Sequence, residues 1–221
     1  MFWFRIFISA LLSVMFLVVY GGCNWYTSLR TGVGSFFFEW ERTIPFLPWT
    51  ILPYMSIDLF FVLAPFACRT RAQVVLFARR VAVSIGAAGA FFLIWPLKFS
   101  FERPHADGIM GAVFDWFRTL DQPFNQFPSL HITLSVILID VYARRFSGPG
   151  RVMILGWFTL VMLSTVTTFQ HHIIDVIGGA ILATVIFALF RRPASVVGED
   201  ADGVAGASPE RGLEGAVSGG L

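Results

Sequence analysis

The sequence predicts an all-α, polytopic membrane protein, a bundle of six transmembrane helices. Three observations lead there. Hydrophobic residues fill 56% of the 221 positions and charged residues only 14%, with a mean hydropathy of +0.72, a balance unlike that of soluble domains. Apolar runs close to the ~20 residues needed to cross a bilayer recur along the chain. No period-2 alternation accompanies them, so helices rather than a closed barrel must satisfy the backbone in lipid.

In order, the runs are residues 2–20, 51–68, 74–97, 130–146, 152–169 and 173–190. The third is unbroken only from Val81 onward. No internal repeat is visible, and residues 1–192 read as one six-helix domain. Residues 193–221, rich in Gly, Ala, Ser and acidic residues, read as a disordered cytoplasmic tail. Residues 21–50 read as a long first loop. Its "GSFFFEWERTIPFLPW" mixes aromatics, charges and prolines, as an interfacial segment or a short re-entrant piece would. "VVYGGC" has the bulky Tyr20 where lipoprotein cleavage ahead of Cys23 wants a small aliphatic residue, so cleavage is not expected. Cys23 and Cys68 fall at opposite ends of the path across the membrane, which argues against a disulfide.

The net charge of +2 says little, and nothing in it points to nucleic acid. Its distribution says more. Arg69, Arg71, Arg79 and Arg80 fall between the second and third runs, and Arg144, Arg145 and Arg151 between the fourth and fifth. Arg191 and Arg192 follow the sixth, and Arg5 opens the first. With alternating helices these share one side, which the positive-inside rule makes cytoplasmic. Both termini are then inside, and the loops 21–50, 98–129 and 169–172 are outside. All four histidines (His105, His131, His171 and His172) fall in or beside those outer loops, with Lys98 and Arg103. Scattered polar residues would not converge on one face, and convergence suggests a site.

Three segments compose it. "PLKFSFERPH" (96–105) breaks regular structure at Pro96 and Pro104 and supplies Lys98 and Arg103. Basic residues at a helix end also snorkel without further role. "FPSLH" (127–131) makes Ser129 a natural N-cap. The helix start it opens offers free N–H groups suited to phosphate, with His131 in the first turn. "TFQHHIIDVIGG" (168–179) puts His171 and Asp175 four residues apart, on one helical face. A carboxylate that holds one imidazole nitrogen makes the other a nucleophile or base. His172 lies three residues before the same aspartate, so spacing alone does not choose between the histidines, and a polar pair joining helices would look the same. Together these residues suit phosphoryl transfer, which needs a nucleophile, a proton donor and a cationic cradle. No carboxylate-rich metal cage accompanies them, so neither metal nor cofactor is expected.

The ordered set of Lys98…Arg103-Pro104, Pro128-Ser129-x-His131 and His171-x-x-x-Asp175 on a six-helix chain resembles the type 2 phosphatidic acid phosphatase superfamily. It looks most like the branch with inositol phosphorylceramide synthases and bacterial membrane phosphatases. The resemblance spans about residues 45–190. It implies an integral membrane lipid phosphatase, acting on a phosphate monoester or pyrophosphate through a phosphohistidine. The alternative is a phosphotransferase that passes the head group to a hydroxyl acceptor. By the same resemblance His171 attacks phosphorus, Asp175 orients it and His131 protonates the leaving alkoxide, while Lys98, Arg103 and Ser129 hold phosphate oxygens. A bacterial inner membrane with the site on the periplasmic face is the implied location, and a lipid phosphate the implied partner.

Three departures from the family pattern stand out. Lys98 and Arg103 enclose four residues rather than six, and Leu130 replaces a glycine. Thr165 stands where an arginine normally precedes the nucleophilic histidine, removing a bidentate clamp that His172, Gln170 or His105 would have to replace. Two other classes use the same residues differently: haem ligation by His131 with His171 or His172, and a transporter marked by the intramembrane Asp58 and Asp140. Asp140 sits near the arginine-rich end and should pair there. Asp58 has no evident role.

Overall fold

The structure, a computed structural model, describes residues 1–192. The tail at 193–221 lies outside the described residues. The elements are α1 (Phe2–Phe16), α2 (Gly22–Ser28), α3 (Ile51–Ala67), α4 (Arg71–Ile94), α5 (Gly108–Leu120), α6 (Leu130–Arg145), α7 (Gly148–Thr167) and α8 (Ile173–Leu189). Among the described residues the only β pairing is an isolated parallel bridge between Gly34 and Leu97. The fold is all-helical, as expected.

Among the described residues, four helical stretches are long and apolar enough to cross a membrane: Phe2–Ser28, Pro48–Ala67, Arg71–Ile94 and Gly148–Thr167. The other two expected spans, α6 and α8, are shorter, at 16 and 17 residues. α6 lies at the centre, packed against α3, α4, α7 and α8. Its Leu134, Ile137 and Leu138 join a core with Val81, Ile85 and Phe158. In a membrane such packing acts through close contact rather than release of water, so polar stitches count for more. Tyr142 of α6 donates to the Phe60 carbonyl at 2.8 Å. The buried Arg80 donates to Asp140 at 2.8 Å and to the Phe190 carbonyl at 2.8 and 3.1 Å. Asp140 also takes Arg144 at 2.9 Å, the pairing expected for it.

Several expected boundaries are corrected. Residues 21–28 are not loop: a π-helical turn at Leu17–Gly21 leads straight into α2, because the face carrying Cys23, Asn24 and Thr27 is buried. The third expected span, α4, starts at Arg71 rather than 74, because Thr70 and Gln73 form a capping box. Arg79 and Arg80, which precede the unbroken run at Val81, lie inside that helix and not in a loop. The fifth span starts at Gly148 rather than 152, with Pro149 in its first turn. Finally, residues 98–129, expected as loop, contain a helix, α5. Met110, Val113, Phe114 and Phe117 recur at helical spacing and pack on Ile51 and Tyr54 at the start of α3.

Candidate active site

The site begins where α7 ends. Phe169 takes a left-handed backbone (φ 56°), and the chain folds back so that the N–H groups of Gln170 and His171 both reach the Thr165 carbonyl, at 3.1 and 2.9 Å. Thr165 is fully buried and its hydroxyl donates to the Met162 carbonyl at 2.7 Å. The residue standing in the family's arginine position thus holds the backbone of His171. His172 then caps α8: its N–H donates to Asp175 Oδ2 at 2.9 Å, a carboxylate favourably placed in the first helical turn. The same Oδ2 lies 3.6 Å from His171 Nδ1, beyond hydrogen-bond length. That nitrogen is buried with no partner.

α6 is joined directly to this turn. Ser129 N–H donates to the Asp175 carbonyl at 3.0 Å, and its hydroxyl accepts the Ile132 N–H at 3.3 Å, as the N-cap role requires. That leaves the Ser129 O–H proton free to donate. Thr133 Oγ1 lies 2.9 Å from the Gly179 carbonyl. A Cβ on Gly179 would run into the Ser129 carbonyl oxygen and stand 2.9 Å from Ile132 Cβ. The glycines after Asp175 therefore let the starts of α6 and α8 touch. Two residues after Ser129, His131 stacks on Tyr54 (centroids 4.0 Å, 14° between planes) with Nε2 3.3 Å from the Tyr54 carbonyl. Its ring centre is 6.4 Å from that of His171.

The cationic residues separate. Arg103 is half-buried, its guanidinium 5.7 Å from the Phe99 ring centre and its Nε unpartnered. Burial lowers its pKa, and Asp121 offsets part of that, so it stays a cation. Burial raises the Asp121 carboxyl, opposed by the Tyr20 hydroxyl, Arg103, His171 and Asn24. Arg118, in the last turn of α5, donates to the Pro104 carbonyl at 2.9 Å and ties α5 to the residue after Arg103. Lys98 is exposed, and its ammonium has no hydrogen bond or ion pair among the described residues. His105 is exposed too.

One group of functional candidates is not readable from the sequence. Glu41, 2% exposed, accepts from His172 Nδ1 at 2.8 Å and from Ile173 N–H at 3.2 Å. On the other side of that imidazole, Nε2 faces the N–H and Oγ of Ser100, at 3.3 and 3.2 Å. The ring is stacked on Phe99 (4.3 Å, 13°). Burial lowers the His172 pKa, against the pull of Glu41 and Asp175. The two histidines thus part company: His171 turns toward His131, whereas His172 ties loop 98–103 to α8. Nothing distinguishes Glu41 from the exposed Glu39 in the sequence.

These observations fit an integral membrane protein in which an imidazole on α6 faces one in the turn before α8, their ring centres 6.4 Å apart. Residues 50–189 match the PAP2 superfamily, and the chain belongs to it. Membership supports a phosphatase-type lipid phosphoesterase. The match takes in α3 to α8 and all three motif segments. No curated protein and no solved structure matches the chain.

Proposed function

We propose that this protein is an integral membrane lipid phosphatase that hydrolyses a phosphate monoester or pyrophosphate through a phosphohistidine. The observation that carries this reading is the facing pair His131 and His171, 6.4 Å apart, with His172 held away from it by Glu41. His171 Nε2 attacks phosphorus as the bond to the leaving oxygen breaks. His131, protonated at the start of this step, gives that oxygen its proton. Neutral His131 then takes a proton from water, whose oxygen attacks phosphorus and releases phosphate from His171. Asp175 closes on Nδ1 as positive charge builds on His171, a contraction common when catalytic hydrogen bonds tighten on binding. Arg103 and the Ser129 hydroxyl hold phosphate oxygens, with Lys98 at the rim. No step requires a metal, and among the described residues no group of three or more His, Cys, Asp or Glu side chains is placed to hold one.

A mostly apolar cavity beside His131 favours a second outcome, in which a lipid hydroxyl replaces water and takes the phosphoryl group, as in the synthase-like branch. The proposed topology has six spans, both termini cytoplasmic and the site on the periplasmic face of a bacterial inner membrane. It is supported by Arg5, which reaches the Cys68 carbonyl at 2.6 Å, and by Arg80, which reaches the end of α8. The arginine-rich segments therefore meet. The test is trapping by an alkaline SDS quench with a ³²P-labelled lipid phosphate, with and without a lipid alcohol. Wild type should carry acid-labile, base-stable label and His171→Ala none, whereas His172→Ala should stay measurably active. Turnover by His171→Ala would overturn the scheme.

A further inference from the structure

A cavity of about 320 Å³ opens beside His131 among α1, α3, α5 and α6, at the small end of the range for small-molecule sites. Its walls are mostly apolar, with Phe16, Leu17, Phe61 and Leu134 among them. Its acidic groups are Asp58 and Asp121. Asp121 is occupied, since its Oδ1 accepts from Tyr20 at 2.9 Å and from Asn24 at 3.4 Å. Asp58 is exposed on α3 and has no hydrogen bond or ion pair among the described residues. No lysine or arginine lines the cavity.

A carboxylate in a span is costly unless something pairs with it. Asp58 follows Tyr54 by four residues, so it lies on the same helical face roughly 6 Å farther along α3. Tyr54 is the residue on which His131 stacks. A molecule whose scissile oxygen meets His131 and whose chain enters the cavity must therefore pass Asp58 a few bonds from its phosphate. Two carboxylates repel a second phosphate there. A hydroxyl or ammonium would satisfy Asp58.

We infer that the cavity is the subsite for the alcohol portion of the substrate, and that Asp58 selects lipid phosphates with a hydrogen-bond donor, a hydroxyl or an ammonium, close to the phosphate. This rests on the phosphatase reading. It makes Asp58 a specificity-determining residue and sets plain alkyl and polyprenyl phosphates at a disadvantage.

The test uses dodecyl phosphate, 2-hydroxydodecyl phosphate and 2-aminododecyl phosphate in detergent micelles, which share a chain and differ only in the donor. Wild type should favour one or both donor-bearing compounds over dodecyl phosphate by roughly 10- to 100-fold in kcat/KM, the scale of one hydrogen bond to a charged group. Asp58→Leu should lose that preference and gain on dodecyl phosphate, because no carboxylate then faces the chain. Asp58→Asn, uncharged but polar, should lose more on the amine than on the hydroxyl. Equal wild-type rates on all three, or a uniform loss in Asp58→Leu, overturns the inference. Calorimetric binding of 2-aminododecan-1-ol against dodecan-1-ol, without turnover, separates the two readings. Tighter binding of the amino alcohol, lost in Asp58→Leu, supports the subsite even if nothing is hydrolysed, and equal affinities reject it even if phosphatase activity is present.

Discussion

Replacing Glu41 by glutamine changes one atom and should loosen the whole site. The carboxylate accepts three hydrogen bonds: His172 Nδ1 and Ile173 N–H on Oε2, and Phe38 N–H on Oε1. Glutamine keeps one oxygen. If that oxygen faces His172, the new NH₂ group meets the Phe38 N–H. If it faces Phe38, the NH₂ meets Ile173 and the imidazole. Changing the tautomer of His172 does not help, because its Nε2 would then present a hydrogen to the Ser100 N–H, 3.3 Å away. Every arrangement leaves a donor facing a donor and converts charge-assisted bonds to neutral ones. The cost is about 2–4 kcal/mol. For a chain of this size that corresponds to roughly 5–15 °C in Tm. Cys23 and Cys68 are buried, so a thiol-reactive fluorophore reads unfolding in detergent micelles directly. Glu41→Leu, which leaves three donors unpaired, should fall further than Glu41→Gln. Melting of both variants within about 2 °C of wild type would show that Glu41 does not anchor His172.

The lowered pKa of His172 makes its contribution to stability complete above the unfolded value of 6.5 and lost as pH falls through the lower folded value, since the unfolded chain then binds more protons. Tm should be flat from pH 7 to 8 and drop below about 6.5, with a smaller drop in His172→Gln. His131→Ala should lose more rate on a lipid phosphate than on p-nitrophenyl phosphate, by about 10²–10⁴ against much less, because an aryl oxide leaves without protonation. Equal losses would point to binding instead. Gly179→Ala should destabilise the protein and reduce turnover, as its Cβ meets the Ser129 carbonyl. Unchanged melting would mean that α6 and α8 separate freely. In a background lacking Cys23 and Cys68, Asp107→Cys should react with an impermeant thiol reagent on the outside of intact cells and Ser147→Cys should not. Both positions are exposed, and the reverse labelling would invert the topology.

What the sequence determined by itself is local. Apolar runs report helices, because the need to satisfy backbone groups in lipid acts on each segment separately. The N-cap at Ser129 and the four-residue step from His171 to Asp175 are set by helix geometry within one turn. In the sequence α5 reads as loop: Met110, Val113, Phe114 and Phe117 carry helical spacing, but the prolines and charges around them mask it. The tertiary structure alone decided what depends on distant partners. Glu41 meets His172 across 131 residues of chain, and no spacing rule carries information that far. The different surroundings of His171 and His172 follow from that contact: one imidazole is drawn into the loop by a buried carboxylate, and the other lies 6.4 Å, ring centre to ring centre, from His131. Thr165, expected only as the place of a missing arginine, holds the His171 backbone through its carbonyl, a role that belongs to the fold of the turn rather than to the side chain. Asp58 gained meaning only when packing opened a cavity in front of it, because whether a helical face meets lipid, protein or space is decided by its neighbours.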